Sequence, residues 1–180
     1  MTPRGSVSWL LTALMCWGVA QGEDNSERYY EIPVGVYYGT KEAARSAYDL
    51  GRFDEAYERF SLSARWGETD AQYQLGLMYL DGTGTEANDL LAYIWLKLAA
   101  DSGYKPWVRT VRSMDRNLTA EQLAYAEKEV ERYREQFGID AHGIVCGKPM
   151  RAHPERNEAH CARPRARNQT HFRLKTEFDL

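Results

Sequence analysis

The amino-acid sequence predicts an all-α fold: a short α-solenoid of two to three helix-turn-helix repeats with a C-terminal capping helix and an irregular tail. Three observations predict it. Residues 53–67 recur at 89–103 with an offset of 36, so that Ala56 falls on Ala92, Tyr57 on Tyr93, Phe60 on Leu96, Ser63 on Ala99, Ala64 on Ala100 and Gly67 on Gly103. A fixed period of this kind marks stacked repeats, because one unit alone cannot bury its apolar face. The matched residues are spaced for a helix, which puts Ala56, Phe60, Ser63 and Ala64 on one face and Ala92, Leu96, Ala99 and Ala100 on its equivalent. A glycine ends each segment, as a left-handed helix terminus requires.

The chain has 180 residues, 43% hydrophobic and 27% charged, enough for one soluble domain with appendages. Its first residues have the anatomy of a secretory signal. Arg4 is the positive start, Val7 to Ala20 is a mostly apolar run, and Ala20-Gln21-Gly22 offers small residues to a peptidase before polar Glu23-Asp24-Asn25-Ser26. The run is short for a bilayer, so residues 1–22 are expected to be a cleaved signal peptide and the protein to be periplasmic or secreted. An uncleaved anchor is the alternative. Lipid anchoring at Cys16 fits poorly, because Met15 is large where a small residue is needed. No later segment is long and apolar enough for a stable span.

Residues 23–39 are expected to form an extended arm. Tyr29 to Tyr38 is aromatic and β-branched, suited to packing over the first helices; exposure to a partner is the other option. The repeat domain is expected over residues 40–138. Helix 41–50 has a small face at Ala43, Ala44 and Ala47, and helix 70–80 carries Ala71, Leu75, Gly76 and Tyr79. Thr69-Asp70-Ala71-Gln72 has capping-box spacing. Gly76 inside a helix costs about 1 kcal/mol against alanine, so a close helix crossing is expected there.

A degenerate third unit begins at Tyr104-Lys105-Pro106-Trp107. Its second half is clearer: Thr119 to Gln122 again has capping-box spacing, and Leu123, Ala126, Val130, Tyr133 and Phe137 follow at steps of three and four before Gly138. The opposite face carries Glu121, Glu127, Lys128, Glu131, Arg134 and Glu135. One apolar and one polar face is what an end cap needs. A coiled-coil seam is the alternative, and the run is short for it.

Leu75-Gly76-Leu77-Met78-Tyr79, Gly82-Thr83-Gly84, Asn88, Ala92, Trp95-Leu96, Ala99-Ala100 and Gly103 together resemble one complete Sel1-like repeat, a branch of the tetratricopeptide class. Asn88 stands where that family usually has Asp, and Thr85 where a small apolar residue is usual. Gly51, Phe53, Ala56 and Phe60 in the preceding unit are similar to an ordinary tetratricopeptide repeat. The resemblance implies an array whose first helices line a concave groove. It transfers groove positions to Tyr38, Lys41, Arg45 and Tyr48, and to Asp70, Tyr73, Leu77 and Leu80. Aromatic anchors mixed with charges suit a binding hot spot; scattered surface residues would look much the same.

Residues 139–180 lack sustained periodicity, and Pro149, Pro154 and Pro164 interrupt any long helix. Charge divides the chain. Residues 23–137 hold 21 acids against 14 Lys and Arg, whereas 138–180 hold 5 against 8, with all four histidines (His142, His153, His160, His171) in the tail. Arg163, Arg165 and Arg167 form a small basic cluster, either solvated or in contact with an anionic partner. With the signal removed, Cys146 and Cys161 remain, and an even count in an exported chain favours a disulfide. The alternative, a metal held by Cys146, His153, His160 and Cys161, has no zinc spacing. Asn117-Leu118-Thr119 and Asn168-Gln169-Thr170 match the glycosylation sequon, relevant only in a eukaryotic host.

The sequence has no Gly-x-Ser-x-Gly, no His-Glu-x-x-His, no Cys-x-x-Cys and no phosphate-binding glycine loop. Residues 23–138 hold no histidine, which removes the commonest general base. The reading is therefore not an enzyme: no catalytic residues, no cofactor, no metal and no nucleic acid, since the net charge of −3 gives no reason for one. The resemblance implies a non-catalytic adaptor or scaffold in a bacterial envelope, with a peptide segment or single helix as partner. A structural protein binding anionic glycan or peptidoglycan through the tail is the alternative.

Overall fold

The computed structural model describes residues 29–147 and 160–175. Residues 1–22, Cys16 and His153 lie outside them. Six helices follow one another: α1 Val34–Asp49, α2 Phe53–Arg65, α3 Thr69–Asp81, α4 Asp89–Ala100, α5 Lys105–Asp115 and α6 Ala120–Phe137. Short strands flank them: β1 Tyr29–Pro33 before the helices, then β2 Val145–Gly147, β3 His160–Ala162 and β4 His171–Lys175. The helical solenoid predicted from the repeat is what forms. α1 packs on α2 and α3 on α4 as hairpins, and α2 packs on α3 to join them.

The repeat explains the main core. Ala56, Phe60, Ser63 and Ala64 on α2 are buried, as are Ala92, Leu96 and Ala99 on α4, while Ala100 is half-buried. Leu75, Met78, Ile94, Trp95 and Leu98 complete the layer, each large side chain contributing about 1.5–3 kcal/mol by leaving water. Gly76 stands at the crossing. A Cβ there would lie 2.6 Å from Leu96 Cγ on α4, so only glycine lets the hairpin close this tightly. α6 lies on α4, with the Trp95 ring edge-on to Tyr133 and tilted against Phe137.

Local signals set most helix ends. Asn88 Oδ1 accepts from Leu91 N at 2.9 Å and starts α4. Thr119 and Gln122 form the expected capping box on α6, at 3.2 and 2.9 Å. The capping box expected at Thr69 and Gln72 does not form. Glu68 takes the N-cap position, Thr69 is buried, and the Gln72 amide donates to Ala64 O (3.1 Å) and Phe137 O (2.8 Å). A buried amide finds carbonyls at the ends of α2 and α6 more readily than it can turn back to a helix start.

Two expectations about the ends of the chain need correction. The N-terminal arm is extended only through Pro33, and α1 begins at Val34. Val34, Tyr37, Thr40, Ala44 and Ala47 are all buried, one helical face carried straight through the aromatic stretch despite Gly35 and Gly39. The tail is not wholly irregular. β4 returns to pair antiparallel with β1, Tyr29 opposite Lys175 and Pro33 opposite His171. β2 pairs with β3, placing Cys146 opposite Cys161, and a disulfide joins them. The chain ends thereby build a second core of Ile32, Val34, Tyr37, Trp66, Phe172 and Leu174. Trp66 Nε1 donates to the Tyr30 hydroxyl at 2.6 Å, and the Tyr37 hydroxyl to Trp66 O at 3.3 Å. Among the described residues no helix is long and apolar enough to cross a membrane.

Candidate functional site

The eight groove positions lie on two first helices, Tyr38, Lys41, Arg45 and Tyr48 on α1 and Asp70, Tyr73, Leu77 and Leu80 on α3. Side chains link these helices in series. Lys41 Nζ lies 3.2 Å from Asp70 Oδ2 and 3.3 Å from Glu68 Oε2. Burial works against the Lys41 ammonium, but the Glu68 and Asp70 carboxylates outweigh it and hold its pKa above the usual lysine value. Tyr73 stacks on Trp107 of α5, ring centroids 4.9 Å apart. The first helices of the three units are therefore tied through the residues the resemblance assigns to a groove.

The set divides by exposure. Lys41, Asp70, Tyr73 and Leu77 are partly buried, and they hold the array together as much as they line it. Tyr38 and Tyr48 are 37% and 38% exposed, and Arg45 is exposed. Both rings have aromatic neighbours, Tyr38 meeting Tyr37 and Phe172 and Tyr48 meeting Phe53. Tyr38, Arg45 and Tyr48 are thus the positions most open to a partner. Leu80, also exposed, belongs elsewhere: it lines a cleft beside the turn between α5 and α6.

That cleft, of about 330 Å³, was not signalled in the sequence as a site. Leu80, Met114, Leu118 and Tyr93 wall it, with Asp89, Asn117 and Gln122 at its polar positions. Leu90 of α4 and Tyr125 and Ala126 of α6 extend it. Behind it the Tyr93 hydroxyl lies 2.8 Å from Asp115 Oδ1 and 2.9 Å from Glu127 Oε1, and Lys97 Nζ donates to the same Glu127 oxygen at 2.6 Å. Burial and the two carboxylates push the Tyr93 phenol well above its ordinary pKa, so it stays protonated. Burial would raise the Glu127 carboxyl, but its bonds to Lys97 and Tyr93 win and hold it below the usual range. The only sequence hint was the match of Tyr93 to Tyr57. In the earlier unit that tyrosine meets another hydroxyl, Tyr79, at 2.8 Å.

The basic tail cluster is divided too. Arg163 lies over the rings of Tyr37 and Phe172, at 5.7 and 5.5 Å, and its Nη1 donates to Arg173 O. Arg165 and Arg167 are exposed.

Comparisons with known proteins agree with this architecture. The family model of the Sel1 repeat matches residues 69–104, which is α3, α4 and the turn after them. An exopolysaccharide production negative regulator from Rhizobium meliloti (strain 1021) is 39% identical over 61 residues, 34% of this chain and 23% of that protein. The crystal structure of a protective antigen present in uropathogenic Escherichia coli strains, displaying an SLR fold, superposes with a TM-score of 0.53 at 24% identity, covering 61% of this chain and 24% of that one. The chain thus spans about a quarter of the length of either relative, and the second likeness is one of fold.

Proposed function

We propose that this chain, a Sel1-like repeat protein, is a non-catalytic adaptor of the bacterial cell envelope that holds a peptide segment or single helix of a partner protein. The observation that carries the reading is the face of α1, where Tyr38, Arg45 and Tyr48 stand open beside the Lys41–Asp70 pair. Partly exposed aromatic side chains and an unburied arginine are the residue types that dominate binding energy at interfaces. Repeat folds of this kind generally act by presenting such surfaces. The signal-like start and the Cys146–Cys161 disulfide support an exported setting. The likeness to a protein named as a negative regulator is in keeping with a regulatory role.

Replacing Tyr73 or Leu77 would remove packing as well as contact, so the test uses open positions. Wild type and the Arg45→Glu/Tyr48→Ala double variant are cross-linked in the envelope and purified side by side, with thermal unfolding as the folding control. The adaptor reading expects a protein captured by wild type and lost in the variant at unchanged thermal midpoint. Equal capture by both would remove α1 as the binding face.

A second reading is that Arg165 and Arg167 bind anionic glycan, favoured by their exposure beside β4. Deleting the tail would also remove Phe172 and Leu174 from the second core. The cleaner test is Arg165→Ala/Arg167→Ala, which should abolish retention on peptidoglycan and leave protein capture intact.

A further inference from the structure

The third unit breaks the pattern of the other two. α1–α2 and α3–α4 pack as hairpins, whereas α5 and α6 both lie on α4 and scarcely touch each other. A repeat normally buries its apolar surface against its own partner helix and its neighbours. Here a wedge stays open beside the α5–α6 turn, floored by Tyr93 and Leu90 of α4. Its outer wall is Tyr125, 59% exposed although it is large and aromatic. Leu80 and Leu118 face the same space from α3 and the turn.

Charge around the wedge is one-sided. No lysine or arginine lines it, and Asp89 stands at its lip. Asp89 lies in the first turn of α4, where the helix's positive end compensates it. Asp115, behind the wedge and outside its lining, has no such help. It is the last residue of α5, so its charge adds to the negative end of that helix. Its hydrogen bond is with the Tyr93 hydroxyl, which has one proton for two carboxylates. Lys97 serves Glu127, and the adjacent Arg116 donates to Ser113 Oγ instead. Among the described residues no cation pairs with Asp115 or Asp89.

We propose that the wedge between α5 and α6 is a second docking surface, separate from the α1 face, and that it seats a partner segment carrying a large apolar side chain next to lysine or arginine. The apolar side chain enters between Leu118 and Tyr125, replacing the packing that α5 and α6 do not give each other. The cation lies against Asp89, the charged residue at the lip of the wedge. The wedge has room for one or two side chains, so the partner presents a short segment and not a broad face.

The test is fluorescence anisotropy of three labelled synthetic peptides of equal length with the full exported chain: one of leucine and lysine, one of leucine and glutamate, one of serine and lysine. Saturable binding of the leucine–lysine peptide alone is expected. Tyr125→Ala should weaken it ~5–10-fold, as loss of an aromatic anchor does, and Asp89→Asn ~2–5-fold, as loss of one partly exposed charge does. Arg45→Glu/Tyr48→Ala should leave it unchanged. Both wedge substitutions are at exposed positions; Tyr125→Ala should leave the thermal midpoint unchanged, and Asp89→Asn should lower it slightly by removing a charge from the start of α4. The proposal is overturned if the leucine–lysine peptide does not saturate, if either control peptide binds as well, or if neither wedge variant weakens binding. Loss in the Arg45/Tyr48 variant alone would also overturn it, and would assign the peptide to the α1 face instead.

Discussion

The two cores of this protein are built by different rules. The main core draws mostly on residues close in sequence: α1 meets α2 as α3 meets α4, and α2 meets α3 as α4 meets α5. The second core draws its rings from opposite ends of the described chain, with Ile32 and Tyr37 meeting Phe172 and Leu174 over Trp66. A stack of local contacts repeats itself and leaves a period in the sequence. A core closed by a single long-range pairing leaves none. The first is propagated along the chain, and the second rests on one five-residue strand pair.

Substitutions in each core test how separate they are. Leu96→Ala should cost most, about 4 kcal/mol, because it opens a cavity against Gly76 at the tightest crossing. Urea unfolding should show the whole helical signal moving to lower denaturant. Phe172→Ala should cost about 3 kcal/mol, but locally. Hydrogen exchange in β1 and β4 should speed up while the α3–α4 amides keep their protection. Equal loss of protection in both regions would mean that there is one cooperative core and not two. Reducing the disulfide, or replacing both cysteines by serine, should cost about 2–3 kcal/mol for a loop of this length, again confined to the strands. Thr119→Ala should cost about 1 kcal/mol through the lost cap of α6, and should fray that helix without touching β4.

The smallest effect concerns pH and the pair that joins α1 to α3. The folded-state pKa of Lys41 is raised above 10.5. Its contribution is therefore complete below that value and is lost as pH rises through the folded pKa. The buried phenols of Tyr37 and Tyr93 act in the same direction. The comparison must therefore be with Lys41→Met, whose stability should decline less steeply above 10.5 than that of wild type.

What the sequence disclosed follows the same division. α2, α3, α4 and α6 were legible because periodicity and a following glycine agree in each, with a capping residue besides at α4 and α6. The start of α1 was hidden: Gly35, Gly39 and two valines argue against a helix, and packing of Val34 and Tyr37 on Trp66 overrides them. Gln72 looked like a capping residue because local spacing cannot show that Phe137 O will lie 2.8 Å away. Of the groove positions, the resemblance brought Lys41 to Asp70 and Tyr73 to the α5 side, yet it could not separate Tyr38 and Tyr48, which stay open, from Leu77, which the core absorbs. The wedge was not visible, since it exists because two helices fail to pack.

The register of β1 and β4 also decides how the molecule would respond to tension. Tyr29 and Lys175 face each other at the outer end of the pair, and Pro33 faces His171 at the inner end. A load applied through both ends of the described chain therefore separates the strands like a zipper, breaking one rung at a time, and does not shear all the rungs together. The strands would yield first and at low force. The Cys146–Cys161 bond would then shorten the path along which the pull reaches α6, while the load arriving from the other side would fall directly on Val34 and the first turn of α1.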